Sequence, residues 1–240
     1  MSKHEILNNV DHKNLRVLTQ PSAYPGNNIM CVLAMPSEFR DLQAEYPIFL
    51  HKDEASGRFL PMAMLGLEKN ENLYLGDKGW NAAYLPLMIA RGPFLIGFQE
   101  SGSGTERQKK MVISIDVDDS RVSESAGEPL FQPFGGNSNY TDHIAEVLQR
   151  IDQGQAEIQQ FCEALQRHDL IEPFSLDIKL DNDVQHKMEG FYTLNEEKLA
   201  ALDGDTLSEF SRAGILQAAY MILASFSSIR NLVNFKNARV

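Results

Sequence analysis

Phe174-Ser175-Leu176-Asp177-Ile178-Lys179-Leu180 alternates apolar and polar residues without a break. Asp181-Asn182-Asp183 follows as a turn, and Gln185 to Leu194 returns as a second run. Strict alternation marks a strand with one buried face, and two such runs joined by Asp and Asn predict an antiparallel hairpin. On both sides of it the period changes to that of a helix. Upstream, Ile144, Val147, Leu148 and Ile151 fall at i, i+3, i+4 and i+7, and Ile158, Phe161, Cys162 and Leu165 repeat the pattern. Gly154 lies between the two sets and predicts a break into two helices, the first starting at Thr141-Asp142. Downstream, Asn195-Glu196-Glu197 opens a short helix, and Asp205 to Arg212 forms another, stopped by Gly214. Ile215 to about Phe235 forms the last, with Ile215, Ala219, Ile222, Phe226, Ile229 and Val233 on one face. A hairpin set among helices places the chain in the α+β class, with a mainly antiparallel sheet, packed helices and a helix-rich C-terminal half.

Working back toward the N-terminus, strands are expected at Ile29–Met35, Tyr46–Leu50, Phe59–Leu67, Phe94–Phe98 and Met111–Val117. Pro36-Ser37-Glu38-Phe39 opens a helix that Ser37 can cap, with Phe39, Leu42 and Tyr46 at helical spacing. Pro61 suggests an edge position or a late start for its strand. Ala82–Ile89 reads as a short helix ended before Gly92-Pro93. Ser101-Gly102-Ser103-Gly104 reads as a flexible loop, and residues 118–140 are loop-rich. Residues 1–27, punctuated by Pro21, Pro25 and Gly26, read as an arm, and 28–240 as a single domain.

Composition narrows the function classes. The 240 residues carry 33 acidic against 22 basic side chains, a formal net charge of −11. Such a surface repels phosphate backbones, so nucleic acid is not expected as a partner. The one compact basic run, Arg107-Gln108-Lys109-Lys110, reads as a solvated start to a strand. Cys31 and Cys162 sit in apolar surroundings and read as inert core thiols. Ala218–Ala224 is far short of the roughly 20 residues that cross a bilayer, and Met1–Val10 lacks the apolar core of a secretory signal. A cytoplasmic protein with no membrane span is the expectation.

No catalytic device is legible. Gly-x-Ser-x-Gly, P-loop and dinucleotide patterns are missing, and Gly135-Gly136-Asn137 reads as a turn into a helix. No catalytic residue, metal site or cofactor is assigned. His51-Lys52-Asp53 matches half of a two-His-one-carboxylate iron site, with His143, His168 or His186 as the distal ligand. The polar context Glu54-Ala55-Ser56-Gly57 favours an exposed turn instead. His168 near a helix end reads as a cap facing carbonyl oxygens.

One stretch remains: Glu71-Asn72-Leu73-Tyr74-Leu75, Gly79-Trp80-Asn81-Ala82-Ala83-Tyr84-Leu85-Pro86 and Arg91-Gly92-Pro93-Phe94-Leu95, holding the only tryptophan. Two readings stand side by side. Trp80, Tyr84 and Arg91 line a ligand pocket, the arginine offering a bidentate hold on a carboxylate or phosphate. Alternatively Trp80 and Phe94 anchor the core while Arg91 ties down a loop through carbonyl oxygens.

These residues, with Glu38-Phe39, Tyr46-Pro47-Ile48, Leu65-Gly66-Leu67, Leu170-Ile171-Glu172-Pro173 and Gly190-Phe191-Tyr192-Thr193-Leu194-Asn195-Glu196, resemble the bacterial SapC family, named after a protein encoded with surface-layer genes. The family pattern has two basic residues where this chain has Ala90-Arg91, which weakens a two-arginine anion site. The resemblance implies a SapC-like domain and, through the genes found beside relatives, cell-envelope or nutrient-uptake biology. It brings no catalytic residues. With no nucleophile in view, the favoured expectation is a non-enzymatic binding or accessory protein with a protein partner. The alternative is a small-ligand-binding protein or enzyme with its pocket at Trp80, Tyr84 and Arg91.

Overall fold

The computed structural model describes residues 3–20, 28–76, 79–101 and 108–239. In chain order the strands are β1 (His4–Ile6), β2 (Arg16–Val17), β3 (Cys31–Leu33), β4 (Ile48–Lys52), β5 (Phe59–Met64), β6 (Leu75–Gly76), β7 (Gly79–Trp80), β8 (Phe94–Ser101), β9 (Gln108–Asp116), β10 (Val122–Ser123), β11 (Glu128–Pro129), β12 (Ile171–Lys179) and β13 (Gln185–Leu194). The helices are α1 (Phe39–Leu42), α2 (Leu87–Ala90), α3 (Asn139–Arg167), α4 (Glu196–Ala200), α5 (Gly204–Arg212), α6 (Ile215–Ser225) and α7 (Ile229–Asn237). Every strand pairing is antiparallel, so the class is α+β as the alternating runs implied.

Contacts divide the chain into two compact units, Met1–Pro25 with Leu87–Asp152 and Gly26–Pro86 with Gln153–Val240. In the first, a three-stranded sheet has the order β1-β9-β8 and a small second sheet the order β10-β2-β11. Residues 3–20 thus supply two strands to this unit, while residues 21–27, the end of the expected arm, lie outside the described residues. Its core gathers Val17, Phe94, Ile115, Leu130, Ile144 and Leu148, the last two from the first half of α3. Of the expected Gly/Ser loop, Ser101 instead ends β8, because it pairs with Gln108 of β9, and residues 102–104 lie outside the described residues. Of the basic run, Gln108–Lys110 opens β9.

The second unit is built on a five-stranded sheet of order β12-β13-β4-β5-β3. The predicted hairpin is its edge pair, in register from Ile171↔Leu194 to Lys179↔Gln185 with one bulge between Phe174 and Leu176. Pro61 is a departure from expectation, because it sits mid-strand in β5 with neighbours on both sides. Its carbonyl accepts from Ala34 N at 2.9 Å, just past the last β3 pair Leu33↔Met62, so the missing N–H faces the end of the β3 ladder and not its middle.

The helices also depart from the sequence reading in instructive ways. Helix α3 runs unbroken through Gly154, one residue beyond the unit boundary. A Cβ there would lie 2.6 Å from Met35 Sδ and 2.8 Å from its Cγ, so this glycine makes room for a neighbour and does not end the helix. The helix begins at Asn139, ahead of Thr141, because Ser138 Oγ accepts from Thr141 N at 3.2 Å. The turn before α1 is capped by Glu38, not Ser37, with Glu38 Oε1 accepting from Met35 N at 2.9 Å. Helix α2 spans four residues only. The long last helix is split by a 3₁₀ turn at Phe226–Ser228. There Ser225 Oγ accepts from Ile48 N at 2.9 Å and Ser228 Oγ donates to Gln43 O at 3.0 Å, pinning the turn to the strand and loop beneath.

Candidate functional site

The aromatic stretch falls into both units. Trp80 and Tyr84 belong to the second, where they converge on Tyr46, which is fully buried. The Tyr46 hydroxyl donates to Tyr84 O at 2.5 Å and accepts from Trp80 Nε1 at 2.6 Å. The Tyr46 and Tyr74 rings are tilted at 4.4 Å between centroids, and Tyr74 stacks with Trp80 at 6.1 Å. Tyr74 donates its hydroxyl to Glu45 O, and the Glu45 carboxylate accepts from Ala83 N at 2.8 Å and Tyr84 N at 2.9 Å. The Tyr84 hydroxyl reaches the buried Glu38 carboxylate at 3.0 Å. Burial pushes the Tyr46 and Tyr74 phenols well up, so both remain protonated donors.

The C-terminal segment clasps this cluster. Arg239 donates to the carbonyls of Asn72, Leu73 and Leu75 at 3.1, 2.8 and 2.7 Å. Lys236 reaches Glu71 at 2.6 Å and Glu68 at 3.0 Å. The indole N–H of Trp80 and the hydroxyl of Tyr84 are therefore committed to the chain itself, and the Glu45 and Glu38 carboxylates act as internal acceptors.

Arg91 belongs to the first unit. Its Nη1 donates to Phe94 O at 2.7 Å, closing the turn around Gly92, whose φ is 58°. Its Nε is buried without a hydrogen-bond partner. Arg121 grips Asp119 through Nε–Oδ1 at 2.8 Å and Nη2–Oδ2 at 2.6 Å. Burial lowers the Arg91 pKa, Arg121's charge lowers it further, and Asp119 works against both. Asp119 is itself held below the usual carboxylate range: burial acts upward, but the hydrogen bonds and charge of Arg121 outweigh it.

The histidines and cysteines scatter. His51 lies at the end of β4 and Asp53 opens the turn, accepting from Ser56 N at 2.9 Å. His143 is exposed, and His186 Nδ1 lies 2.9 Å from Glu68. The His168 ring packs edge-on against Phe210 at 5.1 Å, and α3 is closed by Asp169 at φ 52°. Among the described residues no group of three or more His, Cys, Asp or Glu could hold a metal ion. Burial raises the Cys31 thiol and pushes Cys162 up to about 12, which leaves both poor nucleophiles at neutral pH.

Three features were not legible beforehand. An open groove of about 490 Å³ runs between Ser37 and Arg40, Glu157 and Gln160, and Gln217 and Met221. A second hollow of about 450 Å³ is lined by Glu172, Phe174, Thr193 and Phe226 among others. The third is an apolar stripe on the β8–β9 pair. Phe94↔Ile115, Ile96↔Ile113 and Phe98↔Met111 are partners in register and share one face. Phe94 and Ile115 are fully buried, whereas Phe98 is 62% and Met111 43% exposed.

The chain belongs to the SapC family, whose model matches residues 7–232. No curated protein and no solved structure matches it. Among the described residues, no helix is long and apolar enough to cross a membrane.

Proposed function

We propose that this SapC-family protein is a non-enzymatic binding or accessory protein that acts with a protein partner, in the cell-envelope or nutrient-uptake setting the family resemblance implies. The observation that carries this reading is the exposed Phe98–Met111 pair. It continues a core stripe outward past the edge of the core, so that an aromatic ring and a methionine stand together as one apolar face open to a partner. Aromatic and methionine side chains are the types enriched at the centres of protein interfaces.

A photo-crosslinking residue at Met111, the register partner that shares the face of Phe98, introduced in the native host, tests the reading. A discrete adduct with one other protein is expected, and Phe98→Glu abolishes it while leaving the melting temperature within about 2 °C, as a surface change should. No adduct, or an adduct only with a second copy of the chain, overturns it.

A second reading, a small-ligand protein or enzyme with its pocket at Arg91, has one observation in its favour: the buried, unpartnered Nε of Arg91. An anion would satisfy it. Under this reading Arg91→Lys removes anion binding with little change in stability. If Arg91 only ties the turn to Phe94 O, Arg91→Lys lowers stability and no anion binds to either form.

A further inference from the structure

The 450 Å³ hollow lies within the range of about 300–1,000 Å³ that small-ligand pockets span. Phe174 and Phe226 face each other there at 5.4 Å between centroids, and both pack on the buried ring of Phe49, at 5.0 and 5.2 Å. Around these rings stand three carboxylates, Glu172, Glu196 and Glu197, and among the described residues no basic side chain lines the hollow. The nearest lysine along the chain, Lys198, is occupied by the carboxylate and carbonyl of Asp169. Glu172 is oriented by Asn195 Nδ2, which donates to its Oε2 at 2.5 Å.

A cluster of acids beside aromatic rings would be ordinary surface were it not for Thr193. This residue is 5% exposed, lines the hollow, and its hydroxyl has no hydrogen-bond partner. Thr193 is the register partner of Glu172, so the two side chains stand on the same face of the hairpin as Phe174, two residues along. A bare buried hydroxyl is unfavourable by about 1–3 kcal/mol unless something completes it.

We infer that this hollow binds a primary alkylammonium group. The three N–H donors of such a group match one hydroxyl acceptor and two carboxylates, and its adjoining methylene lies against the phenyl faces, where a cation is attracted to the ring quadrupole. The group is carried equally by a free amine and by a lysine side chain. The site is independent of the Phe98–Met111 face, and its failure would leave that reading untouched.

The test is isothermal titration of the full chain at low ionic strength with butylammonium chloride, with sodium chloride as the reference. Spermidine and Nα-acetyl-lysine methylamide distinguish a free polyamine from a lysine side chain by which binds more tightly. Saturable binding of butylammonium is expected, weakened about tenfold by Thr193→Val and by the pair Glu196→Gln and Glu197→Gln. Thr193→Val keeps the side-chain shape, and the two glutamates are exposed, so all three changes should leave the fold intact, as a thermal melt confirms. Heat no larger than that of sodium chloride, or equal binding by the wild type and both variants, overturns the proposal. So does tetramethylammonium binding as tightly as butylammonium, because it cannot donate to Thr193.

Discussion

Two aromatic clusters occupy the same unit of the molecule and are finished differently. Around Tyr46, Tyr74 and Trp80, the hydroxyls and the indole N–H meet backbone or side-chain partners within the chain. Around Phe49, Phe174 and Phe226, the rings pack as closely, yet the buried Thr193 hydroxyl beside the hollow has no partner within the chain. The first cluster is dense in sequence and holds the only tryptophan. The second is assembled from three distant segments. Density of aromatics, Pro and Gly marks a scaffold that must be built one way, whereas the unpaired Thr193 hydroxyl is what the proposed ammonium site rests on.

The largest expected effect that sharpens this contrast is Tyr46→Phe. It strips the acceptor from Trp80 Nε1 and the donor from Tyr84 O at once, and should destabilise the protein by about 1–3 kcal/mol in a denaturant titration followed by Trp80 emission. A loss below about 0.5 kcal/mol would mean that the first cluster is no better satisfied than the second. The opposite sign is expected for Thr193→Val: stability unchanged or raised by up to about 1 kcal/mol, since the substitution removes a hydroxyl that has no partner to lose. A clear loss would show that the hydroxyl is satisfied in the folded protein.

The smallest effect concerns the clasp of Lys236 on Glu68 and Glu71. The hydrogen bond from Lys236 lowers the Glu68 pKa, so its contribution is present above the unfolded value near about 4.3 and is lost as pH falls through the depressed folded value. On Lys236 burial acts downward but is outweighed by the hydrogen bonds it donates to Glu71 and Glu68, so its pKa is raised. That contribution is present below about 10.4 and is lost as pH rises through the raised folded value. Stability from the clasp is therefore flat across neutral pH and, with Glu68 half exposed and Lys236 and Glu71 still partly reached by solvent, on the order of 1 kcal/mol. A Lys236→Met variant should be less stable than the wild type by a constant amount across neutral pH and converge on it at the two extremes, and a difference that varies near neutrality would contradict this account of the clasp.

Much of the fold was readable because its signals are local. The hairpin from Ile171 to Leu194 announces itself by alternation and an Asp-Asn turn, and the C-terminal helices by their period and by Gly214 at φ 74°. What escaped reading was decided across the fold. Gly154 has a helix-breaker's composition, but its role is set by Met35, more than a hundred positions away. Pro61 enters an inner strand because of where β3 happens to stop. The split of the last helix rests on Ile48 and Gln43 beneath Ser225 and Ser228.

The candidate site shows the same division. Trp80 and Tyr84 were visible as unusual residues, but that they turn inward to Tyr46, Glu45 and Glu38 is a tertiary fact. Thr193 had no signal at all, because lacking a partner is not a property of a residue or its neighbours in sequence.

A single spectrum bears most directly on the contrast between the two clusters. With one tryptophan in the chain, Trp80 gives one indole N–H resonance, and methyl labelling adds Thr193 as a second reporter. On titration with butylammonium chloride, the Thr193 methyl signal should move saturably while the Trp80 indole signal stays fixed. A shift of Trp80 with Thr193 unmoved would contradict the account, placing the open site in the cluster described here as closed.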